Sequence, residues 1–358
     1  MKNNQNKKTR FKILFLVMTL LFSLNLSACG EKKVKTDEIK DPTAVFTYGE
    51  EAVSKGEVYI YVNTIKERYE TQYGEDVWDI ALPQSENSEE QLTMVDFTKE
   101  EVVNEIVRVK TLYAQAENMG VFLTEEQKQE ILDEAQSFYD GLTDVDIESL
   151  ELTVDIVNKV MVENKIAKLV QDKLLEDNPI EISDEEARMT TFYDMYFNCY
   201  SIDENGVMVP YTEEQCSIQY ENALTACSTL ATAVIDENSD AENIENLAAY
   251  YKLDYAAEYT ISPEEIMNIY GEDIYNTLYS MENGDYSSVI KSEYGYHVFQ
   301  MVALTDKKAT QSKKDIMTKA AIEEYLRETL NGWQKEIDPE FSYPESINMD
   351  VYNTITIE

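Results

Sequence analysis

His297 is the only histidine of the 358-residue chain, and it lies in the segment GDYSSVIKSEYGYHVFQM, residues 284–301. An imidazole can act as an acid, a base or a hydrogen-bonding partner near neutral pH. Because the chain has one histidine and no CxxC pair, the sequence gives little support to a metal or dithiol redox site. Two hypotheses for His297 stay open: it belongs to a catalytic site, or it is a buried side chain with a structural hydrogen bond.

The composition narrows the classes of function. Acidic residues outnumber basic ones by 70 to 30, which gives a net charge of −40. Such a surface repels nucleic acid phosphates, so a nucleic acid partner is excluded. The chain has only 11 glycines and 7 prolines, which disfavours a glycine-rich nucleotide-binding fold and long disordered tracts. The length allows two domains, and no cofactor is expected.

The N-terminus has the pattern of a lipoprotein signal peptide, predicted over residues 1–28. A basic start, MKNNQNKKTRFK, precedes the apolar run ILFLVMTLLF, which is too short to span a bilayer. The next motif, LSAC, resembles a bacterial lipobox, whose rule is cleavage before the cysteine and attachment of lipid to its sulfur. This rule implies lipidation of Cys29, a tether over residues 29–43 and anchoring to the outer face of the cytoplasmic membrane. The alternative is an ordinary secretory signal with an incidental cysteine.

Three further cysteines, Cys199, Cys216 and Cys227, cannot all pair within one chain because their number is odd. Cys216 and Cys227 lie on one predicted helix, roughly 16 Å apart along its axis. That distance is beyond the reach of a disulfide. The favoured interpretation is therefore buried free thiols.

A capping pattern, Ser or Thr followed three residues later by Glu or Gln, recurs in residues 44–190. It predicts helices that begin after Ser54, Thr98, Thr124 and Ser183. Apolar residues at helical spacing follow these positions. This part of the chain is therefore predicted to be mostly α-helical.

The pattern changes at residue 195, where MYFNCYSI indicates a β-strand and DENG a turn. Amphipathic helices are predicted at about residues 212–233 and 241–252. A short helix at GEDIYNTLYSM and a strand at YHVFQMVAL follow, and a last helix is predicted at about 312–335. Strands and helices without repeated βαβ units indicate an α+β fold.

One segment resembles a known enzyme family. MENGDYSSVIKSEYGYHVFQMV is similar to the C-terminal signature of parvulin-type peptidyl-prolyl isomerases, with Gly284, Ser287, Gly295, Tyr296 and His297 at the family's positions. YGEEAVSKGEVYIY resembles the opening strand and helix of extracytoplasmic foldases of the PrsA and SurA type. LTEEQKQEI and ISDEEAR resemble the joints between their helices, so the resemblance covers nearly the whole mature chain.

The resemblance implies a domain arrangement. A discontinuous helical chaperone domain, similar to the N-terminal domain of SurA, is expected over residues 44–190 and to be completed by 307–358. A parvulin-like domain, a small antiparallel sheet flanked by helices, is expected as an insertion over residues 191–306.

The resemblance also implies a site. The family uses two histidines on central strands, a nearby Cys or Asp, and an apolar pocket that grips proline. His297 takes the position of the second histidine, and Asn198 replaces the first. The expected substrate-binding residues are Tyr270, Ile274, Tyr279 and Tyr294. No counterpart of the Cys or Asp is identified and the glycine-rich stretch before the pocket helix is absent, so the isomerase site is expected to be incomplete.

Three functions remain open. The first is a membrane-anchored foldase of secreted proteins with a working, atypical isomerase domain. The second is a non-catalytic holdase or scaffold lipoprotein, which the 25 tyrosines favour because amphipathic rings bind varied chains. The third is a solute-binding lipoprotein of a transporter, which would require βαβ units and glycine-rich loops. The partners implied are unfolded or newly secreted polypeptides, the membrane through lipidated Cys29, and a second copy of the chain.

Overall fold

The computed structural model describes residues 41–82, 92–235 and 243–357. The expected signal peptide, Cys29 and most of the expected tether lie outside the described residues. The chain divides into two compact units, one that runs to Ile180 and resumes at Ala321, and one that spans Glu181–Ala320.

The first unit opens with a β-hairpin of β1 (Phe46–Tyr48) and β2 (Glu51–Val53). Gly49 in its turn has φ 61°, a left-handed conformation that favours glycine. A short 3₁₀ helix spans Glu75–Asp79. The α-helices that follow the hairpin are α1 (Lys55–Tyr73), α2 (Met94–Ala114), α3 (Glu125–Tyr139), α4 (Asp144–Ser149) and α5 (Val154–Asp177).

Capping boxes begin two of these helices where the sequence predicts them. Ser54 Oγ accepts the backbone N–H of Glu57 at 3.2 Å, and the Glu57 carboxylate reaches back to the Ser54 N–H. Thr124 and Gln127 make the same pair of contacts at the start of α3. In each case the side chains satisfy backbone donors that the first helical turn leaves unpaired.

The predicted start of α2 at Thr98 is wrong. The helix begins four residues earlier, at Met94, with Thr93 as its cap and Asp96 closing the box. Asp at this position accepts the backbone N–H as Glu does, so the pattern of Glu or Gln alone selected the wrong threonine. Thr98 lies inside the helix and is fully buried.

The core of the first unit is apolar and continuous from the hairpin to the C-terminal segment. Ile347 forms an isolated antiparallel bridge with Phe46, and the ring of Phe341 lies 5.5 Å from that of Phe46. The Tyr352 hydroxyl donates to the Lys99 carbonyl at 2.9 Å. These contacts bring the chain after Ala321 into the core that residues before Ile180 begin.

An ion cluster lies inside this helical unit and consists of Glu51, Glu57, Lys110, Lys159 and Glu163. The Lys110 ammonium lies 3.2 Å from Glu57 and 3.0 Å from Glu163, and these three residues are each at most 5% exposed. The three carboxylates converge within 4.8 Å, a spacing that suits a cation. The two ammonium groups supply that positive charge. Burial nevertheless raises the pKa of Glu163, because the carboxylate has lost its hydration.

The ion cluster gives a stability prediction for Lys110→Met. The substitution keeps the volume and leaves three carboxylates with one ammonium, so the first unit should lose about 3–5 kcal/mol of unfolding free energy. Trp78 and Trp333 are the two tryptophans of the chain, and both belong to this unit. Urea unfolding followed by tryptophan fluorescence therefore reports this unit.

The matched control is Lys128→Met. Lys128 pairs with Glu125 on the surface, and their side chains are 55% and 89% exposed. Its loss should change stability by at most about 0.5 kcal/mol. Equal unfolding midpoints for the two variants would contradict a stabilising role of Lys110.

The second unit contains a four-stranded antiparallel sheet in the order β6-β3-β8-β7 and a separate β4–β5 hairpin. The strands are β3 (Thr190–Asn198), β4 (Tyr200–Ile202), β5 (Met208–Pro210), β6 (Ala257–Ile261), β7 (Ile290–Ser292) and β8 (Gly295–Ala303). The helices are α6 (Glu213–Ile235), α7 (Ile244–Tyr251), α8 (Pro263–Tyr270) and α9 (Glu272–Tyr279). The fold is α+β, as expected, although β6 and α8 were not predicted from the sequence.

The sheet separates two small cores. Met195, Phe197 and Val298 face α6 and α7 on one side. Phe192 and Phe299 face α8 and α9 on the other. Side-chain alternation along β3 and β8 produces this division.

The second unit is longer than the expected 191–306 at both ends. The backbone N–H of Asp306 donates to the Met189 carbonyl at 2.8 Å, and Lys314 pairs with Asp184 at 2.7 Å. The prediction of a helix after Ser183 is wrong. The Ser183–Glu186 capping contacts are present, but they form a single turn, and β3 begins soon after it. The assignment of the two units as chaperone and parvulin-like domains stays a prediction.

The last long helix, α10 (Lys307–Ile337), contributes residues to both units, and the short helix α11 (Met349–Tyr352) follows it. Among the helices of the described ranges, none combines the length and the apolar composition needed to cross a lipid bilayer.

Candidate functional site

The candidate site lies on the central strands of the second unit. In the β3–β8 ladder, Tyr196 is opposite His297 and Asp194 is opposite Phe299. Directly opposed residues of an antiparallel pair project to the same face, so these four side chains share one side of the sheet. That side faces α8 and α9, the helices whose residues the sequence assigned to a substrate pocket.

Both nitrogens of the His297 imidazole are engaged within the protein. Nδ1 lies 2.9 Å from Oδ1 and 3.0 Å from Oδ2 of Asp194. Since a carboxylate only accepts, Nδ1 carries the proton and donates. Nε2 lies 2.9 Å from the Ser292 hydroxyl on β7. The hydrogen-bonding capacity of the ring is therefore filled by two neighbouring side chains.

Aromatic rings cover the imidazole. Tyr196 stacks on it at 4.3 Å between centroids with 9° between planes, and Phe299 lies nearly parallel at 5.4 Å. Tyr270 on α8 meets it edge-on at 5.9 Å. His297 is 5% exposed as a result. A polypeptide could reach a ring nitrogen only after one of these groups moved.

Asp194 is a buried carboxylate, 3% exposed. Burial raises its pKa, while the hydrogen bond and the charge of His297 act in the opposite direction. The Tyr270 hydroxyl donates to Oδ2 of Asp194 at 3.3 Å. Burial, and then the negative charge of Asp194, raise the pKa of Tyr270, so its phenol stays neutral and remains a donor.

Asn198, expected as the partner of His297, does not contact the imidazole. It lies on the expected face but opposite Gly295, at the end of the ladder, and its side-chain amide donates to the Tyr200 carbonyl at 2.5 Å. The partner is Asp194, four residues earlier on the same face. The DENG turn belongs to the β4–β5 hairpin, and β4 separates it from β3, so distance from this turn does not give the position on β3 that faces His297.

The four expected substrate-binding residues do not form one open pocket. Ile274 is 3% exposed and belongs to the core beneath the sheet, and Tyr270 packs against Phe192. The Tyr279 hydroxyl shares a 2.9 Å hydrogen bond with Thr190, at the far end of β3. Tyr294 is 47% exposed and stands apart from these three.

Tyr294 instead joins a surface patch at the other end of the strands, here called the tyrosine group: Tyr196, Tyr200, Tyr255 and Tyr294. The rings of Tyr200 and Tyr255 lie 5.8 Å apart, and Tyr294 meets Tyr200 edge-on at 6.4 Å. The Tyr196 hydroxyl donates to the Tyr294 carbonyl at 2.9 Å. These partly exposed rings offer apolar faces with polar edges to a bound chain.

A concavity lies in the first unit, between α1, α3 and α5. It has a volume of about 100 Å³, and Ile60, Ile131, Val160, Met161 and Asn164 are among its lining residues. The Asn164 amide N–H groups bond to the Tyr61 hydroxyl and the Val160 carbonyl, each at 2.8 Å. Its Oδ1 has no partner within the described part of the chain, so one buried acceptor remains for a guest or a water.

Comparison with known proteins finds similarity to curated proteins named foldase protein PrsA. It is 25% identical over 348 residues to foldase protein PrsA of Clostridium perfringens, and 94% of each chain is covered. It is 20% identical over 321 residues to foldase protein PrsA of Caldanaerobacter subterraneus, over 88% of this chain and 89% of that one. The chain is therefore similar to PrsA foldases over nearly its whole length.

The comparisons with family models and with solved structures give no further support. No protein-family model matches the chain. The crystal structure of PrsA from Bacillus cereus covers 77% of it and 98% of its own chain, with 12% identity and a TM-score of 0.25. A TM-score this low carries no argument about the fold.

Two residues of the site, Asp194 and Ser292, were not predicted from the sequence. Asp194 is the single charged residue of the run TTFYDMYFN, and this was the feature that could have identified it. The predicted strand began at residue 195, so Asp194 was left outside it. Ser292 carried no signal, because its contact with His297 depends on the β7–β8 pairing.

The geometry predicts a structural role for His297. His297→Ala leaves the Asp194 carboxylate buried with only the Tyr270 hydroxyl, so the second unit should lose about 3 kcal/mol of stability. Hydrogen exchange of β3 and β8 peptides in the full chain should accelerate more than a hundredfold. The control Asn198→Ala removes only a bond to a local carbonyl and should cost about 1 kcal/mol or less. Equal protection in both variants would show that the buried pair does not stabilise the unit.

Proposed function

We propose that this protein is an extracytoplasmic foldase that acts chiefly as a chaperone of secreted polypeptides, and that its parvulin-like unit has little or no isomerase activity. The similarity to PrsA foldases along nearly the whole chain supports the first part. The closure of His297 by Asp194, Ser292 and three aromatic rings supports the second and is the observation that carries it.

The physical reason lies in what prolyl isomerisation requires. The barrier to rotation about a peptide bond is about 18–20 kcal/mol, and the enzyme must favour the twisted amide with placed hydrogen bonds. Here both imidazole nitrogens already bond within the protein, and Tyr270 fills the space beside the ring. The ring can therefore hold the sheet together but has no free nitrogen to offer a substrate amide.

Binding of unfolded chains by a chaperone does not require the placed polar groups that isomerisation requires. A holdase requires exposed, adaptable apolar surface and no preorganised polar group. The tyrosine group offers such a surface in the second unit, where Tyr255 is 39% and Tyr294 47% exposed. The transporter alternative loses support, since every strand pair among the described residues is antiparallel.

The test combines two assays on one set of variants. In a proline-limited refolding assay, the wild-type chain should give a rate close to the uncatalysed one, and His297→Ala should not change it. In an aggregation assay with an unfolded client, wild type and His297→Ala should protect equally at a temperature where both are folded. Strong acceleration by wild type that is lost in His297→Ala would sink the non-catalytic proposal.

The tyrosine group makes a separate prediction in the aggregation assay. Tyr255→Ala combined with Tyr294→Ala should raise the concentration needed for half-protection several-fold, because both rings are partly exposed. The matched control is Tyr250→Ala, which removes a ring that is 76% exposed and lies outside the tyrosine group. An equal effect of the control would mean that protection depends on general surface composition and not on this patch.

The anchor is also proposed, on the sequence alone. The LSAC motif supports cleavage before Cys29 and lipid attachment, which places the chain on the outer face of the cytoplasmic membrane. Mass analysis of the mature N-terminus should find a diacylated cysteine, and Cys29→Ser should release the chain from membranes. A mature wild-type N-terminus downstream of Cys29 would contradict the anchor. The partnership with a second copy of the chain stays a prediction.

A further inference from the structure

Cys227 differs in position from the other two cysteines of the second unit. It lies in the middle of α6, packs against the core between this helix and the sheet, and its thiol donates to the Ser287 carbonyl at 3.5 Å. Eleven residues separate it from Cys216 on the same helix, roughly 16 Å along the axis. The two cannot form a disulfide with each other.

The sheet places Cys199 beneath the first turns of α6. Its backbone N–H donates to the Tyr294 carbonyl at 2.7 Å, so the β3–β8 pairing continues one residue past the end of β3. Alternation then gives Cys199 the same face as Phe197, which packs in the core under α6. Tyr296, opposite Phe197 on β8, projects from this face as well.

The helix places Cys216 above the same spot. The ring of Tyr220 lies 5.1 Å from that of Tyr296. Cys216 precedes Tyr220 by four residues, so both occupy one side of α6. The helix thus presents Cys216, one turn before Tyr220, to the part of the sheet where Cys199 emerges.

The backbone joins the two cysteines by a short path. The Cys199 carbonyl accepts the N–H of Tyr211 at 2.8 Å, because the β4–β5 hairpin returns the chain to the end of β3. The N–H of Cys216 donates to the Thr212 carbonyl at 2.9 Å in the first turn of α6. Burial, and then the neighbouring Cys216 thiol, raise the pKa of Cys199 to about 12.

We propose that Cys199 and Cys216 form an intramolecular disulfide and that Cys227 remains a thiol. The structure holds all three as free thiols, and Cys199 and Cys216 are both partly accessible. A disulfide between two of the three cysteines, with the third left as a thiol, is consistent with their odd number. The bond deepens the proposed function, on which it rests for its oxidising environment outside the cytoplasm.

The oxidant is a disulfide compound, and the reaction proceeds by two exchanges. The Cys216 thiolate attacks the oxidant and forms a mixed disulfide, which releases one thiol. The Cys199 sulfur, after losing its proton, then attacks Cys216 and releases the second thiol. Overall the two cysteines lose two electrons and two protons, and the oxidant is reduced to two thiols.

The bond would close a loop that contains the whole β4–β5 hairpin. Cys199 lies directly before Tyr200, and its N–H bonds to Tyr294, so the bond would also fix the base of the tyrosine group. Closing such a loop restricts the open states of the chain. The oxidised protein should therefore hold this aromatic surface more rigidly than the reduced one.

The test is to map the bond in the full chain after equilibration with oxidised glutathione. Free thiols are alkylated, and the protein is then cleaved after glutamate, which puts the three cysteines on separate peptides: Cys199 on 187–204, Cys216 on 215–221 and Cys227 on a peptide that begins at 222. The first two should appear joined, at a mass lower by two hydrogens, and should separate on reduction. The Cys227 peptide should be alkylated.

Variants sharpen the result. Cys199→Ser and Cys216→Ser should each abolish the joined peptide and leave the remaining partner open to alkylation or to a glutathione adduct. Cys227→Ser is the matched control and should keep the bond. Hydrogen exchange in the β4–β5 hairpin should slow by about tenfold on oxidation of wild type and Cys227→Ser, and not of Cys199→Ser.

Three outcomes would overturn the bond: alkylation of all three cysteines after oxidation, a joined peptide that contains Cys227, or a bond between two copies of the chain. Peptide masses report the bond whether or not the protein suppresses aggregation. A chain that forms the bond but protects no client would therefore refute the proposed function and leave the disulfide standing.

Discussion

The pairing of Asp194 with His297 across the two central strands is the interaction on which the second unit depends. A carboxylate that is 3% exposed carries a large desolvation cost, and only hydrogen bonds from the imidazole and the Tyr270 hydroxyl offset it. The same bonds fix the imidazole between Tyr196 and Phe299, which determines how closely α8 can pack against the sheet. The hydrogen bonds of the buried charge and the packing of the core therefore depend on each other in this unit. A change to Asp194 or to His297 affects both the hydrogen bonds and the packing.

The first unit also buries charged groups, and it contains more of them than the second unit's pair. Glu57, Lys110 and Glu163 lie within the helical layer and are held at distances of 3.0–3.2 Å. Because an ammonium can serve several carboxylates at once, Lys110 links the start of α1 to the middle of α5. Such buried groups add little net stability compared with apolar side chains of similar volume, but they penalise every packing that leaves one of them unpaired. Both units thus combine an ordinary apolar core with one buried ionic contact that selects a single arrangement.

The sequence predicts local features of this protein better than contacts between distant segments. The caps at Ser54 and Thr124 were found because a capping box involves residues three apart, and the same local rule failed at Thr93 only because Asp96 was not counted as a partner. The α+β class and His297 followed from patterning and from a motif. The sequence places Asn198 beside His297 and does not single out Asp194, because the register of β3 against β8 depends on where a hairpin begins, which no local pattern contains. Similarly, nothing near Ser292 or Cys216 in sequence indicates which residue each of them meets.

In the function proposed above, the closure of His297 leaves the parvulin-like sheet with a structural role and no catalytic one. A catalytic site must bind the twisted amide more tightly than the planar one, which requires polar groups left unsatisfied until the substrate arrives. Such groups destabilise the free protein, and here Asp194 and Ser292 satisfy them internally. On this proposal the sheet is better packed and the site no longer distinguishes the transition state from the ground state. A chaperone loses nothing by this exchange, because it binds unfolded chains in their ground state. The tyrosine group offers it a surface for this, since Tyr255 and Tyr294 are exposed and make no ring contact with His297.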